Sequence, residues 1–250
     1  MKKLSYLSMI SVYGIILTFL SFRFVSAFFT DSANSNDNTF TAAAEFPTAS
    51  PSGTIVISEV QTNGGTGGGQ DQLTDRDFIE LYNVTAVPIN LNGYRLVKRT
   101  GSGVPTDTTI IAFNATHEIP AHGYFLWASS ESPGFAASIS ANVTTSQTLA
   151  TPNNSIALRN GPVDTGTIID ALSWSSTANS LVEGAKFTPD LDASQSMERK
   201  ALSASTVLSM GIGGVDEFKG NGLDSGNNAT DFILRTTSQP QNKNSATEAP

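Results

Sequence analysis

The chain has 250 residues, with 14 basic against 22 acidic side chains, a net charge of −8, and no cysteine. Without thiols it has no disulfide staples, zinc–thiolate sites or cysteine nucleophiles. Its acidity repels phosphate backbones and anionic lipid, so no nucleic acid is expected as a partner.

Lys2 and Lys3 precede an apolar run from Leu4 to Leu20, and Val25-Ser26-Ala27 then offers small residues at the positions a signal peptidase reads. A charged start, an apolar middle and a small-residue exit predict a signal peptide over residues 1–27, cleaved after Ala27. The alternative is a membrane anchor through residues 4–22. Leu4–Leu20 would make ~26 Å of helix at about 1.5 Å per residue, short of a ~30 Å bilayer core. Cleavage removes Lys2, Lys3 and Arg23 but no acid, so the mature chain is more acidic still. Residues 28–52 are polar and then proline-containing, which reads as a linker. Their Phe28-Phe29-Thr30-Asp31 and Asn38-Thr39-Phe40-Thr41-Ala42 stretches resemble the processing region of exported bacterial matrix and camelysin-like proteins.

From Gly53 onward, short β-branched and aromatic runs alternate with turn residues. Strands are expected at Thr54–Val60, Asp77–Asn83, Val87–Leu91, Tyr94–Lys98, Thr108–Phe113 and Gly123–Trp127. Further strands are expected at Ser155–Arg159, Thr167–Leu172, Ser196–Arg199 and Asp231–Arg235. Asn92-Gly93 signals a hairpin turn between the third and fourth. Gly64–Gly69 lacks the Lys-Ser/Thr ending of a phosphate loop and reads as a flexible loop, and Pro133–Pro152 as a second long loop. Beyond the export segment no window holds a helical period for three turns, so the chain is expected to be all-β. Residues 236–250 are polar and read as a disordered tail.

Five segments in order carry a family likeness: Ile55–Val60, Asp77–Asn83, Pro88–Leu96, Ile119–Trp127 and Ile168–Trp174. Together they resemble the lamin tail domain, in the version carried by exported prokaryotic proteins. The resemblance implies an immunoglobulin-like β-sandwich over 53–176, with 177–235 as its closing segment, behind an N-terminal hydrophobic export helix. Animal lamin tails meet proteins and chromatin, but the acidity here argues against carrying over DNA binding.

Chemistry has little to build on. His117 and His122 both lie beside a turn, with no Gly-x-Ser-x-Gly elbow and no His-Glu-x-x-His spacing. Glu80 on a buried strand would need a partner, and Arg76, Arg95 and Lys98 are the candidates for a structural ion pair. Tyr94, Tyr124, Trp127 and Trp174 read as core or core-edge packing. The weak calcium candidates are Asp216, Asp224, Asn228 and Asp231, oxygen donors in a glycine-rich stretch without EF-hand spacing. Asn83, Asn114, Asn142, Asn153 and Asn228 begin Asn-x-Ser/Thr sequons, usable only where exposed and where the host glycosylates.

No catalytic or cofactor-binding residue is assigned. The expected function is an exported, non-enzymatic cell-surface or extracellular module that binds an unknown protein or surface glycan, or serves as a structural element. The alternative is a secreted hydrolase using rim acids such as Glu59, Asp77 and Glu80, since a glycosidase needs two carboxylates roughly 5–10 Å apart.

Overall fold

The computed structural model describes residues 53–62, 76–100, 106–152, 154–174, 181–192 and 194–250. The signal segment with its cleavage point at Ala27, the alternative anchor 4–22, the linker 28–52, Gly64–Gly69 and Asn153 lie outside the described residues. Among the described residues no helix is long and apolar enough to cross a membrane.

The domain is mostly β. A six-stranded sheet has the order β12-β11-β1-β2-β7-β8. Its strands are β1 (Ile55–Gln61), β2 (Phe78–Asn83), β7 (Tyr124–Ser129), β8 (Val143–Thr145), β11 (Ser196–Arg199) and β12 (Phe232–Arg235). A four-stranded sheet, β10-β9-β4-β5, comprises β4 (Tyr94–Thr100), β5 (Thr108–Ala112), β9 (Asn154–Asn160) and β10 (Thr167–Trp174). A small ribbon pairs β3 (Ile89–Asn90) with β6 (Glu118–Ile119). All pairings are antiparallel except β7 with β8.

The core lies between the two large sheets, where Ile57, Ile79, Leu81 and Trp127 meet Leu96, Ile156, Leu158 and Leu172. Trp127 and Trp174 are fully buried there, and each indole N–H finds an acceptor, Thr145 Oγ1 and the Thr151 carbonyl. A buried ion pair ties the sheets together. Arg199 Nη2 on β11 donates to both carboxylate oxygens of Asp170 on β10, at 2.6 and 2.9 Å, and the guanidinium stacks on the Phe232 ring at 4.6 Å. Its Nε donates to the Ile57 carbonyl at 2.8 Å, so its fork is almost fully used.

Several local expectations change. Gly93 does adopt a positive φ of 88°, and Tyr94 N–H closes the turn onto the Leu91 carbonyl. The flanking strands nonetheless do not form a hairpin. β3 pairs with β6, whereas β4 pairs with β5 and β9, so Asn92-Gly93 is where the chain changes sheets. The loop expected at Pro133–Pro152 contains a short helix, α1 (Pro133–Ser138), and β8. Proline in the first turn sets φ for α1, and Phe135 and Ala136 pack it on Phe78. Residues 236–250, expected as a disordered tail, lie as a strap across the outer face of the six-stranded sheet, held by backbone and side-chain hydrogen bonds.

Candidate functional site

The strap covers chemistry that strand alternation alone would place elsewhere. In β1, Ile55 and Ile57 point into the core, and strict alternation would send residue 59 after them. The β1–β2 register shifts between Ile57 and Glu59, so Ser58 is an extra residue and Val60 takes the next core position. A bulge re-aims the side chain that follows it, and here it turns Glu59 to the outer face. There Glu59 stands directly opposite Glu80 of β2 on one side and Glu198 of β11 on the other. Three carboxylates thus form a row across three adjacent strands, an arrangement that repels itself unless shielded or protonated.

The shielding comes from above and beside. Glu59 Oε1 accepts from Ser196 Oγ and from the Gln239 N–H at 3.2 Å. Glu80 accepts from Ser58 Oγ and from the Gln241 N–H. Glu198 pairs with Arg235 Nε at 2.7 Å and accepts from Asn221 Nδ2 at 3.2 Å. Burial, and then the charge of Glu198, push the Glu59 carboxyl up to about 8. Burial and the charge of Glu59 also raise Glu80 well above the carboxylate range, and burial raises Glu198 against the pull of Arg235.

Next to the row, Tyr82 and Tyr124 pack ring to ring, 5.0 Å between centroids, on the same outer face. The strap returns over them. Glu248 accepts from Tyr124 through its carboxylate at 2.6 Å and from Tyr82 through its backbone carbonyl, while its N–H donates to the His122 carbonyl at 2.8 Å. Burial raises both phenols, Tyr82 to about 12. Gly220 sits so close over Tyr82 that a Cβ there would fall 1.9 Å from the phenol oxygen.

The loop 205–222 and the strap enclose a half-open cleft of about 220 Å³. Glu198, Asp216, Glu217 and Glu248 supply its acids, Asn221, Gln239 and Gln241 its amides, and Met210, Ile212 and Phe218 its apolar wall.

The expected ion pair of Glu80 with Arg76, Arg95 or Lys98 does not form. β4, which carries Arg95 and Lys98, belongs to the other sheet, whereas Glu80 faces outward from the six-stranded one. Arg95 donates to the Gly161 carbonyl, Lys98 to the Thr148 carbonyl, and Arg76 lies over the Phe135 ring. Of the hydrolase trio, Glu59 and Glu80 meet, but Asp77 accepts from the Leu149 N–H and lies outside the row. His117 sits edge-on between Phe113 and Phe125, and its Nδ1 accepts from the Asn114 N–H.

The calcium candidates are each engaged by neighbouring groups. Asp231 accepts from Ser225 N–H and Oγ, Asn228 bridges the Ala171 carbonyl to the N–H groups of Ser173 and Glu183, and Asp224 accepts from the Gly226 N–H. Asp216 belongs to the cleft, where Ser205 and Lys219 engage it. Among the described residues no three acidic or histidine side chains are grouped to hold a metal ion. Of the sequons, Asn83 and Asn228 are fully buried, Asn142 is half-buried and accepts from Leu126 and Lys243 N–H, and Asn114 is exposed. Asn83 caps its own turn, as its sequence context implies, accepting from Thr85 N–H at 2.9 Å.

Sequence reasoning missed Glu198, Gln239, Gln241, Glu248 and the apolar side chains of the 205–222 loop. The one available signal was Glu59 and Glu80, each set in a largely apolar strand; Glu198 lies in the polar Ser196–Arg199 strand and gave none.

These features define a β-rich domain of two packed sheets whose strapped outer face bears an acid-floored cleft. The Lamin Tail Domain pattern matches residues 48–176, more than half of the chain, and the chain belongs to that family. A search of curated proteins returns no match. Among solved structures, a DUF4876 family protein from Bacteroides thetaiotaomicron VPI-5482 is similar at 11% identity, with 79% of this chain and 74% of that one covered and a TM-score of 0.45.

Proposed function

We propose that the chain is a non-catalytic binding module of the exported lamin-tail type, working at the cell surface or outside the cell. In this reading its two sheets form an immunoglobulin-like sandwich behind an N-terminal export helix. One observation carries the reading. Among the described residues, the two acids of the hydrolase alternative that meet, Glu59 and Glu80, are 2% and 1% exposed and held from above by strap backbone. A glycosidase needs its two carboxylates open to substrate across a cleft, whereas the surface left open here is the neighbouring acid-and-apolar cleft, suited to recognition.

A glycan array, a pull-down from the native cell envelope and a panel of hydrolase substrates test this together. Saturable capture of a protein or glycan, with no turnover, is the expected result. Turnover that disappears in Glu80→Gln and Glu59→Gln, with melting temperature unchanged, would overturn the reading.

A further inference from the structure

We propose that the cleft between the 205–222 loop and the C-terminal strap docks a basic peptide segment of a partner protein, taking up one lysine or arginine side chain flanked by apolar residues. This rests on the binding-module reading and names the chemistry of the occupant.

Size, charge and exposure point the same way. At about 220 Å³ the cleft is smaller than the ~300–1,000 Å³ of typical small-molecule pockets and suits a single extended side chain. Its lining has four carboxylates and neither lysine nor arginine. Arg235 meets Glu198 and Lys219 meets Asp216, but the partners of Glu217 and Glu248 are uncharged: the Gly213 N–H for the first, the Tyr124 hydroxyl and Gln241 amide for the second. The cleft therefore presents uncompensated negative charge beside the apolar walls of Met210, Ile212 and Phe218. That pairing matches a lysine or arginine, which lays an aliphatic stem on apolar surface and carries its charge at the tip.

The rim extends the match. Leu208, Ile212, Val215 and Phe218 are 86, 88, 85 and 75% exposed within eleven residues of irregular backbone. Large apolar side chains concentrated on one loop mark an interaction surface, and aromatic and aliphatic anchors beside it exclude water from a buried charge pair. Charge complementarity selects a basic protein segment over a bilayer, because Asp216 and Glu217 lie inside the apolar loop and would be dragged toward the headgroups. A glycan would want a flat aromatic platform, and the Tyr82–Tyr124 pair is covered by the strap.

Fluorescence anisotropy on the purified full chain tests the idea. The probe is a labelled peptide with a central lysine between Leu-Val pairs, compared with its acetyl-lysine counterpart. The lysine peptide is expected to bind at least tenfold more tightly, to weaken severalfold between 50 and 500 mM NaCl, and to lose binding in Ile212→Ser/Phe218→Ser. Glu217→Gln should weaken it severalfold. The exposed substitutions should leave the melting temperature unchanged, which separates lost docking from lost fold. Equal binding of both peptides, binding of neither, or association with phosphatidylcholine vesicles that depends on Phe218 would each overturn the proposal. A positive glycan array alongside peptide failure would overturn it while leaving the module reading in place.

Discussion

Glu59 shows how far one inserted residue reaches. The bulge at Ser58 moves a charge out of the core and into a row of like charges, and the fold answers by raising carboxyl pKa values. The sign of the pH dependence follows. An unfolded glutamate titrates near 4.5 and the folded one at about 8, so between these values the folded state holds a proton that the unfolded state has lost. The stabilisation is fully present below about pH 4.5 and is lost as pH rises toward 8, at up to about 1.4 kcal/mol per pH unit for one such group. Because Glu59 and Glu80 interact, the fall belongs to the pair. Glu59→Gln keeps an acceptor for Ser196 and Gln239 but removes the titration. Urea midpoints measured from pH 5 to 9 should fall less steeply in that variant than in the wild type. Gly220 makes a second residue-scale prediction. Gly220→Ala forces Tyr82 or the strap to move, since the new methyl would also lie 2.5 Å from the Glu248 carbonyl. A loss of about 1–3 kcal/mol is expected by chemical denaturation, in the range of overpacking elsewhere.

At the scale of elements, the Arg199–Asp170 pair joins β11 of one sheet to β10 of the other where both are fully buried. Arg199→Met strands the Asp170 carboxylate and should cost about 3–5 kcal/mol. The double variant Arg199→Met/Asp170→Leu should recover much of that loss, and a double-mutant cycle by urea unfolding measures it. The strands themselves were largely legible in the sequence, because β-branched runs such as Ile55-Val56-Ile57 and Ile168-Ile169 admit few other conformations. Their pairing was less so. Asn92-Gly93 encodes a positive φ but not which strands it joins, and β3 and β6 are too short to leave a periodic signal. The site was the least legible part. Nothing local in Ile57-Ser58-Glu59 announces a bulge, and a polar run such as Ser238–Asn244 looks like a tail until the carboxylates that accept its N–H groups are placed opposite it.

Over the whole molecule, the strap completes the outer face. Deleting residues 237–250 removes the N–H donors to Glu59 and Glu80 and the cover of Tyr82 and Tyr124. A lower melting temperature is expected, with both carboxyl pKa values moving back toward the ordinary range, as followed by carbonyl NMR titration. Calcium offers a contrasting measurement. Asp224, Asn228 and Asp231 already accept or bridge backbone groups, so millimolar Ca²⁺ should leave the melting temperature unchanged, whereas a tight site would raise it.

β1 lies in the interior of its sheet, between β2, the next described strand, and β11, and the Glu59–Ser196 contact spans 137 positions in sequence. Contacts of such separation slow folding, placing closure in the millisecond-to-second range typical of domains dominated by non-local β pairing. During synthesis at about 5–20 residues per second, the second edge of β1 would wait roughly 7–27 s for its partner. An open, apolar strand edge over that interval invites pairing with another nascent chain, and a charge on the edge is the common deterrent. Glu59 is costly in the finished fold, but in the half-made one it is a gatekeeper, ionised until β11 and the strap arrive.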